Sequence, residues 1–311
     1  METLLVIAAI ALMMALCDAD LPSRTQPVIG VLTQPPGAQY DAEDYSKIDM
    51  SYVQWLESAG AIVVPIFFNQ TEEDTRAQFF GLSGVLFTGG PDKPTDFDRY
   101  FETESLLYSL SMEHGQPLWG TCLGFQSISD IAAGGKDVLS DFNSAHMELP
   151  LRLTEDGTNS RMFARAPADI MQTFTQTNVT TNWHHYGVAP DVFNRYIAPA
   201  GFRAVSVNLD ADQVPFIATM EHDTQPIYAT QWHPEANQFD RDHATVTHSA
   251  QAIRAMQYLA NFFVTEARTK GLGPGAVLGS TDKVRVQNYP LRRCAAGTSV
   301  DFRYSFSYVF E

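Results

Sequence analysis

Three residues of the right chemical types for one reaction stand at Cys122, His233 and Glu235. Cys122 lies between glycines in Gly120-Thr121-Cys122-Leu123-Gly124, after a short apolar run and ahead of a helical pattern. In that pattern Leu123, Phe125, Ile128, Ile131 and Ala132 fall largely on one face. Strand, sharp turn and helix reproduce the G-x-S-x-G nucleophile elbow, with cysteine in place of serine. The flanking glycines permit a tight turn and keep bulk off the thiol. A helix N-terminus at that point favours the thiolate, the form that attacks carbonyls. Taken alone, a cysteine between glycines reads better as plain core packing. Its partners decide the matter. Far downstream His233-Pro234-Glu235 ends another apolar run, Ile227 to Trp232. Cysteine hydrolysis needs a thiolate, a base that returns a proton to the leaving amine, a group that orients the base, and an oxyanion hole. Cys122, His233 and Glu235 fill the first three roles, with Glu235 fixing the imidazole tautomer. The backbone N–H of Leu123 is the natural first oxyanion donor.

The elements that must position these residues alternate regularly. Pro27 to Thr33 reads as a first buried strand, and Ile48, Tyr52, Trp55, Leu56 and Ala59 recur at helical spacing until Gly60. Ala61 to Ile66 is a second strand, Glu72 to Phe80 a weaker helix, and Gly84 to Phe87 a third strand ending in Thr88-Gly89-Gly90. A helix over 97–113 then leads into the strand before Cys122. This order predicts an α/β fold, a three-layer αβα sandwich around a mostly parallel sheet with a cysteine nucleophile elbow. Sites in such sheets form at the carboxyl ends of the strands, where Cys122 and Gly89-Gly90 both fall. Beyond Gly134-Gly135 the runs shorten and alternate: Met147 to Leu153, Ala204 to Leu209 and Phe216 to Glu221 read as antiparallel strands and loops. A long helix is expected over 249–270, with Ile253, Met256, Leu259, Ala260 and Phe263 inward, before a glycine-rich break over 271–279. The aromatic alternation Phe302, Tyr304, Phe306, Tyr308 and Phe310 predicts an ordered flap or edge strand, since a disordered tail would not carry it.

Trp119 to Phe125, Gln231 to Glu235 and the earlier Ser51 to Ala61 together resemble gamma-glutamyl hydrolase, of the class I glutamine amidotransferase-like superfamily. The resemblance runs from about Val28 to about Lys270 and recurs weakly in the tail. It implies hydrolysis of gamma-glutamyl bonds in folate poly-gamma-glutamates through a cysteine thioester, no cofactor, and a homodimer. It assigns Cys122, His233 and Glu235 the roles already given, and places the second oxyanion donor in the Gly89-Gly90 pair. It further implies that His184, Tyr52 and Gln126 contact substrate. Two details depart from it: His185 stands beside His184, and Gln126 occupies a position where the family commonly has Glu. An amide there accepts a hydrogen bond but supplies no charge to a substrate amino group. A glutaminase subunit feeding a synthase would use the same triad, and a non-catalytic relative would keep the fold without the chemistry.

Residues 4–17 form an apolar run of signal-peptide length, too short to span a bilayer, so 1–19 is expected to be a cleaved leader. The expected organisation is then a catalytic domain over 20–270 and a C-terminal extension over 271–311 packing on it. Asn69-Gln70-Thr71 and Asn178-Val179-Thr180 are glycosylation sequons that suit a secreted or lysosomal route. Without the leader only Cys122 and Cys294 remain, which is no disulfide framework. The formal charge of −16, or −14 to −13 without the leader, argues against nucleic-acid binding. The eight histidines show no ligand spacing for a metal, and no stable membrane anchor is expected.

Overall fold

The computed structural model describes residues 26–35, 46–90, 93–94, 98–240, 243–271, 285–294 and 305–310. The expected leader over 1–19, with Cys17, and most of the glycine-rich break lie outside them, as do Phe302 and Tyr304.

The chain first lays down β1 (Val28–Leu32), β2 (Ser46–Asp49), α1 (Met50–Ser58), β3 (Ile62–Ile66), α2 (Glu72–Phe79) and β4 (Gly84–Phe87). There follow α3 (Asp98–His114), β5 (Leu118–Thr121) and α4 (Leu123–Ala132). The second half holds β6 (Ser140–Asp141), β7 (Met147–Leu149), α5 (Ala168–Gln176), β8 (Thr180–Asn182) and β9 (Tyr186–Gly187). It ends with β10 (Phe202–Leu209), β11 (Pro215–His222), β12 (Ile227–Thr230), α6 (Ala236–Phe239), α7 (Ala250–Lys270), β13 (Leu291–Cys294) and β14 (Ser305–Phe310).

Seven strands build the main sheet in the order β10-β11-β12-β5-β4-β1-β3. From β12 to β3 every pairing is parallel; β10 and β11 add an antiparallel edge. β1, β3, β4, β5 and β12 are buried along their whole length, which is why their sequences are apolar runs without alternation. Successive side chains still leave opposite faces. Ile29, Val31, Val63, Leu86, Trp119 and Tyr228 pack with Trp55 and Leu56 of α1 and with Met256, Leu259 and Phe263 of α7. Val28, Leu32, Val64, Val85, Phe87 and Leu118 pack with Phe79 of α2, Leu107 and Leu110 of α3, and Phe125 and Ile128 of α4. This is the three-layer αβα sandwich expected from the element order. Each such side chain taken fully from water contributes about 1.5–3 kcal/mol. Ser249 closes the N-terminus of α7 by accepting a hydrogen bond from Ala252 N–H at 3.2 Å.

Three expectations are corrected. Ile253 of α7, expected inward, is exposed. Ile48 belongs to β2, paired opposite Tyr308 of β14, and the helix starts only at Met50 after an extended Asp49. The strand expected over Met147 to Leu153 stops at Leu149, because Pro150 has no N–H for a ladder. α5, with Ile170 and Phe174 buried one turn apart, was absent from the sequence reading; its threonines and the Pro167 cap disguise the period. The terminal aromatic segment forms β14, the middle strand of a small sheet β13-β14-β2.

Candidate active site

The carboxyl ends of β12, β5, β4 and β1 lie side by side in the sheet, and each hands a different group to one place. From β5 comes Cys122, at φ 52 and ψ −100, a left-handed turn rare for a side chain with a Cβ. Such strain costs of order 1–3 kcal/mol and persists where the surroundings over-determine it. Here they do. The Cys122 N–H donates to Thr230 O of β12 at 2.8 Å, and the Gly124 N–H donates to Thr88 O beyond β4 at 3.1 Å. A Cβ on Gly120 would stand 2.6 Å from Gly124 O, and one on Gly124 2.5 Å from Phe87 O. The two glycines therefore let α4 leave directly across the strands. The Leu123 N–H is the first amide of that helix, and the helix itself offers it no acceptor.

From β12 comes His233. Its backbone N–H donates to Thr181 O of β8 at 2.9 Å, and its Nδ1 meets Glu235 Oε1 at 2.6 Å. Imidazole and carboxylate are both buried. Burial alone would lower the His233 pKa, but the Glu235 carboxylate and then Cys122 outweigh it and push it up to about 10. With Nδ1–H committed to Glu235, Nε2 is left to exchange protons. The ring packs tilted against half-buried Trp183 at 4.7 Å between centroids, and His243, held by Asp240 at 2.8 Å, also packs against Trp183 at 4.5 Å.

From β4 comes the Thr88-Gly89-Gly90 loop. A Cβ on Gly89 would lie 2.6 Å from His233 Cε1, 2.7 Å from Tyr52 Oη and 3.3 Å from Cys122 Cβ. Three of the expected site residues thus converge on one glycine. The Gly89 N–H donates to Tyr52 Oη at 2.8 Å, so Gly89 has its amide engaged while Gly90 follows in the same turn. Tyr52 Oη is also 3.3 Å from His233 Nδ1. Burial and the nearby Glu235 and Cys122 hold the phenol well above its ordinary pKa, hence neutral.

His184 and Gln126 meet on a different atom, the carbonyl of Tyr186. His184 Nδ1 lies 2.9 Å from it, and Gln126 Nε2 donates to it at 2.9 Å. Ser144 Oγ stands 3.0 Å from the same Nδ1, and Asn182 Oδ1 is 3.2 Å from Nε2. Burial drives the His184 pKa down to about 3, against the opposing pull of the Tyr186 carbonyl, so the ring is neutral at working pH. His185, next to it, is exposed. Asn69 and Asn178 of the two sequons are exposed as well. Among the described residues no group of histidine, cysteine or acidic side chains is arranged to hold a metal. The sequence reading did not single out Trp183 as a ring against His233, nor Gln34, whose Nε2 donates to Gly89 O. Gln34 carried one usable signal, a polar side chain just past the end of a buried parallel strand.

The model of the family "Glutamine amidotransferase class-I" matches residues 43–252. "Gamma-glutamyl hydrolase B" of Dictyostelium discoideum is 37% identical over 251 residues, covering 78% of this chain and 72% of that protein. The Homo sapiens "Gamma-glutamyl hydrolase" is 33% identical over 255 residues, covering 78% of each. Among solved structures, the glutaminase domain of Trypanosoma brucei CTPS with bound acivicin superposes with a TM-score of 0.52 at 17% identity, covering 81% of this chain and 97% of that one. That likeness speaks for the fold.

Proposed function

We infer the rest from one premise: the chain belongs to the gamma-glutamyl hydrolase family, within the class-I glutamine amidotransferases. It is a hydrolase of gamma-glutamyl bonds, and its substrates are folate poly-gamma-glutamates. The observation that carries the mechanism is the 2.6 Å contact of His233 with Glu235 beside the strained Cys122 turn. The Cys122 sulfur attacks the side-chain carbonyl carbon of a glutamyl unit, and the carbonyl electron pair moves onto oxygen. The N–H groups of Leu123 and the Gly89-Gly90 loop receive that oxyanion; one such donor is worth about 3–4 kcal/mol. As the intermediate collapses the C–N bond breaks, and His233 gives its proton to the departing nitrogen. A gamma-glutamyl thioester remains on Cys122. Water attacks it, His233 takes the water's proton, the C–S bond breaks, and the free acid leaves. Glu235 keeps the imidazole in register throughout.

Tyr52 braces this machinery, while His184 and Gln126 shape the substrate wall through the Tyr186 carbonyl. With an amide at Gln126, the wall does not select for a charged amino group. The protein follows a secretory or lysosomal route and works as a homodimer. Exposed Asn69 and Asn178 support the route, and no described helix is long and apolar enough to cross a membrane.

The test is product analysis by mass after incubation with folyl-polyglutamate at acidic and neutral pH, for the wild type and Cys122→Ala. Shortened folates from the wild type alone are expected. More than a few per cent of activity in Cys122→Ala would sink the thioester route, and preferential hydrolysis of free glutamine would favour a glutaminase. Retention of the fold by Cys122→Ala is checked by its melting temperature.

A further inference from the structure

Gln34 lies just past β1, two strands from the nucleophile, with its side chain buried. Its backbone is fixed by a two-bond bridge: the Gln34 N–H donates to Lys47 O at 2.8 Å and the Lys47 N–H to Gln34 O at 3.0 Å. Its side-chain amide packs against the Gly89-Gly90 loop. A Cβ on Gly90 would stand 2.5 Å from Gln34 Nε2 and 2.6 Å from Oε1. Nε2 donates to Gly89 O at 2.5 Å. Because the partner is a carbonyl, the nitrogen end of the amide must be the one that faces it.

The Gly89 carbonyl and the Gly90 N–H belong to a single planar peptide unit, and in a trans unit they point to opposite sides. The described residues contain no cis peptide. Holding the oxygen against Gln34 therefore sets the direction in which the Gly90 N–H points. The preceding peptide is held from the other side, through the Gly89 N–H on Tyr52 Oη at 2.8 Å. A diglycine is the least constrained backbone available, and both its peptide planes are clamped by side chains. We propose that Gln34 is a positioning residue that aims the Gly90 N–H as the second oxyanion donor. The proposal rests on the hydrolase reading above, with the oxyanion on the Gly89-Gly90 loop. The neighbours suit the task. The Tyr100 phenol of α3 abuts Gln34 and Thr88, with Glu104 of the same helix behind it, all of them buried.

The experiment compares wild type, Gln34→Leu and Gln34→Glu by kcat and KM on a gamma-glutamyl anilide, and by the rate of Cys122 alkylation with iodoacetamide. Alkylation needs the thiolate but develops no oxyanion, so it separates thiol activation from transition-state stabilisation. Outright loss of an oxyanion donor costs about 10²–10³ in kcat. A mis-aimed donor in Gln34→Leu is expected to cost roughly ten- to hundredfold, with KM and alkylation nearly unchanged. Gln34→Glu keeps the size but puts a carboxylate against the Gly89 carbonyl, and only its protonated form restores a donor. Its activity relative to wild type should therefore fall at least tenfold from pH 5 to pH 9 (roughly, on the same donor scale). A Gln34→Leu enzyme with unchanged kcat, or one whose alkylation falls in step with kcat, overturns the assignment. Should Gln34→Leu fail to fold, Gln34→Glu carries the test, and an activity ratio constant over that pH range overturns it. Failure of the hydrolase reading shows separately, as absence of gamma-glutamyl cleavage by the wild type, and overturns both.

Discussion

At His233 burial and two neighbours oppose each other, and their balance sets the pH range over which the ring keeps its second proton. Burial disfavours the cation, Glu235 and Cys122 favour it, and the pair wins, leaving the proton on the ring up to about pH 10. A raised pKa means that the stabilisation from the cation is fully present below the ordinary value of 6.5 and is lost as pH rises towards 10. Activity that needs the protonated ring should follow the same direction. Glu235→Gln removes the stronger of the two favourable neighbours and leaves burial in place. The alkaline limb of the kcat profile should then move down by roughly 1–3 pH units, with a rate loss on the order of 10²–10⁴. A limb that stays in place would show that Glu235 does not govern the proton on His233. His184 is the opposite case: with a pKa near 3 it contributes no acid limb above about pH 4. His184→Asn breaks the arrangement on the Tyr186 carbonyl and should lower kcat/KM by more than tenfold (roughly one buried hydrogen bond). His185→Asn, on an exposed side chain, should be nearly neutral. The reverse pattern would show that the loop turns the other histidine inward when substrate binds.

At the scale of elements the decisive feature is how closely α4 crosses β4 and β5. Gly124→Ala would place a methyl 2.5 Å from Phe87 O and 2.9 Å from Phe87 C, both backbone atoms that cannot swing aside. The helix must lift, at a cost of about 1–3 kcal/mol, and the Leu123 N–H moves with it. Gly124→Ala should thus lose kcat out of proportion to its fall in melting temperature. Parallel losses would mean that the glycine serves packing alone. This crossing was legible in the sequence, because strand, turn and helix are contiguous and their signature is local. The parallel strands were legible for a related reason: burial on both faces writes each of them as an unbroken apolar run. The partners of the machinery were less so. The hydroxyl of Tyr52 reaches Gly89 and His233, residues brought to it by strands far apart in the chain. Gln34 and Trp183 act through strand order and loop placement, which no short window of sequence contains. α5 escaped because Thr173 and Thr175 flank Phe174, a local pattern that reads equally well as a strand.

Across the whole molecule the last strand reaches back to the site. β14 pairs with β2 in the register Tyr308 to Ile48 and Phe310 to Ser46, and Lys47 of β2 carries the backbone bridge to Gln34. β2 also runs directly into α1, which bears Tyr52. Phe310 is buried in the core cluster shared with Trp55 and Tyr52, with Phe67 at 5.3 Å and Tyr289 at 4.7 Å between ring centroids. The terminal strand is therefore placed to brace both clamps of the Gly89-Gly90 loop from behind. Phe310→Ala should cost about 3–5 kcal/mol. That corresponds to a fall in melting temperature of roughly 5–8 °C for a chain of this size. If the brace matters to function, the same variant, assayed well below its melting point, should lose kcat with little change in KM. The reason is that the clamps position the oxyanion donor without holding substrate. Deletion of 286–311 should reproduce both effects more strongly. Full kcat in a destabilised Phe310→Ala enzyme would confine the terminal strand to stability, and would place the rigidity of the Gln34 and Tyr52 clamps within the main sheet and α1 alone.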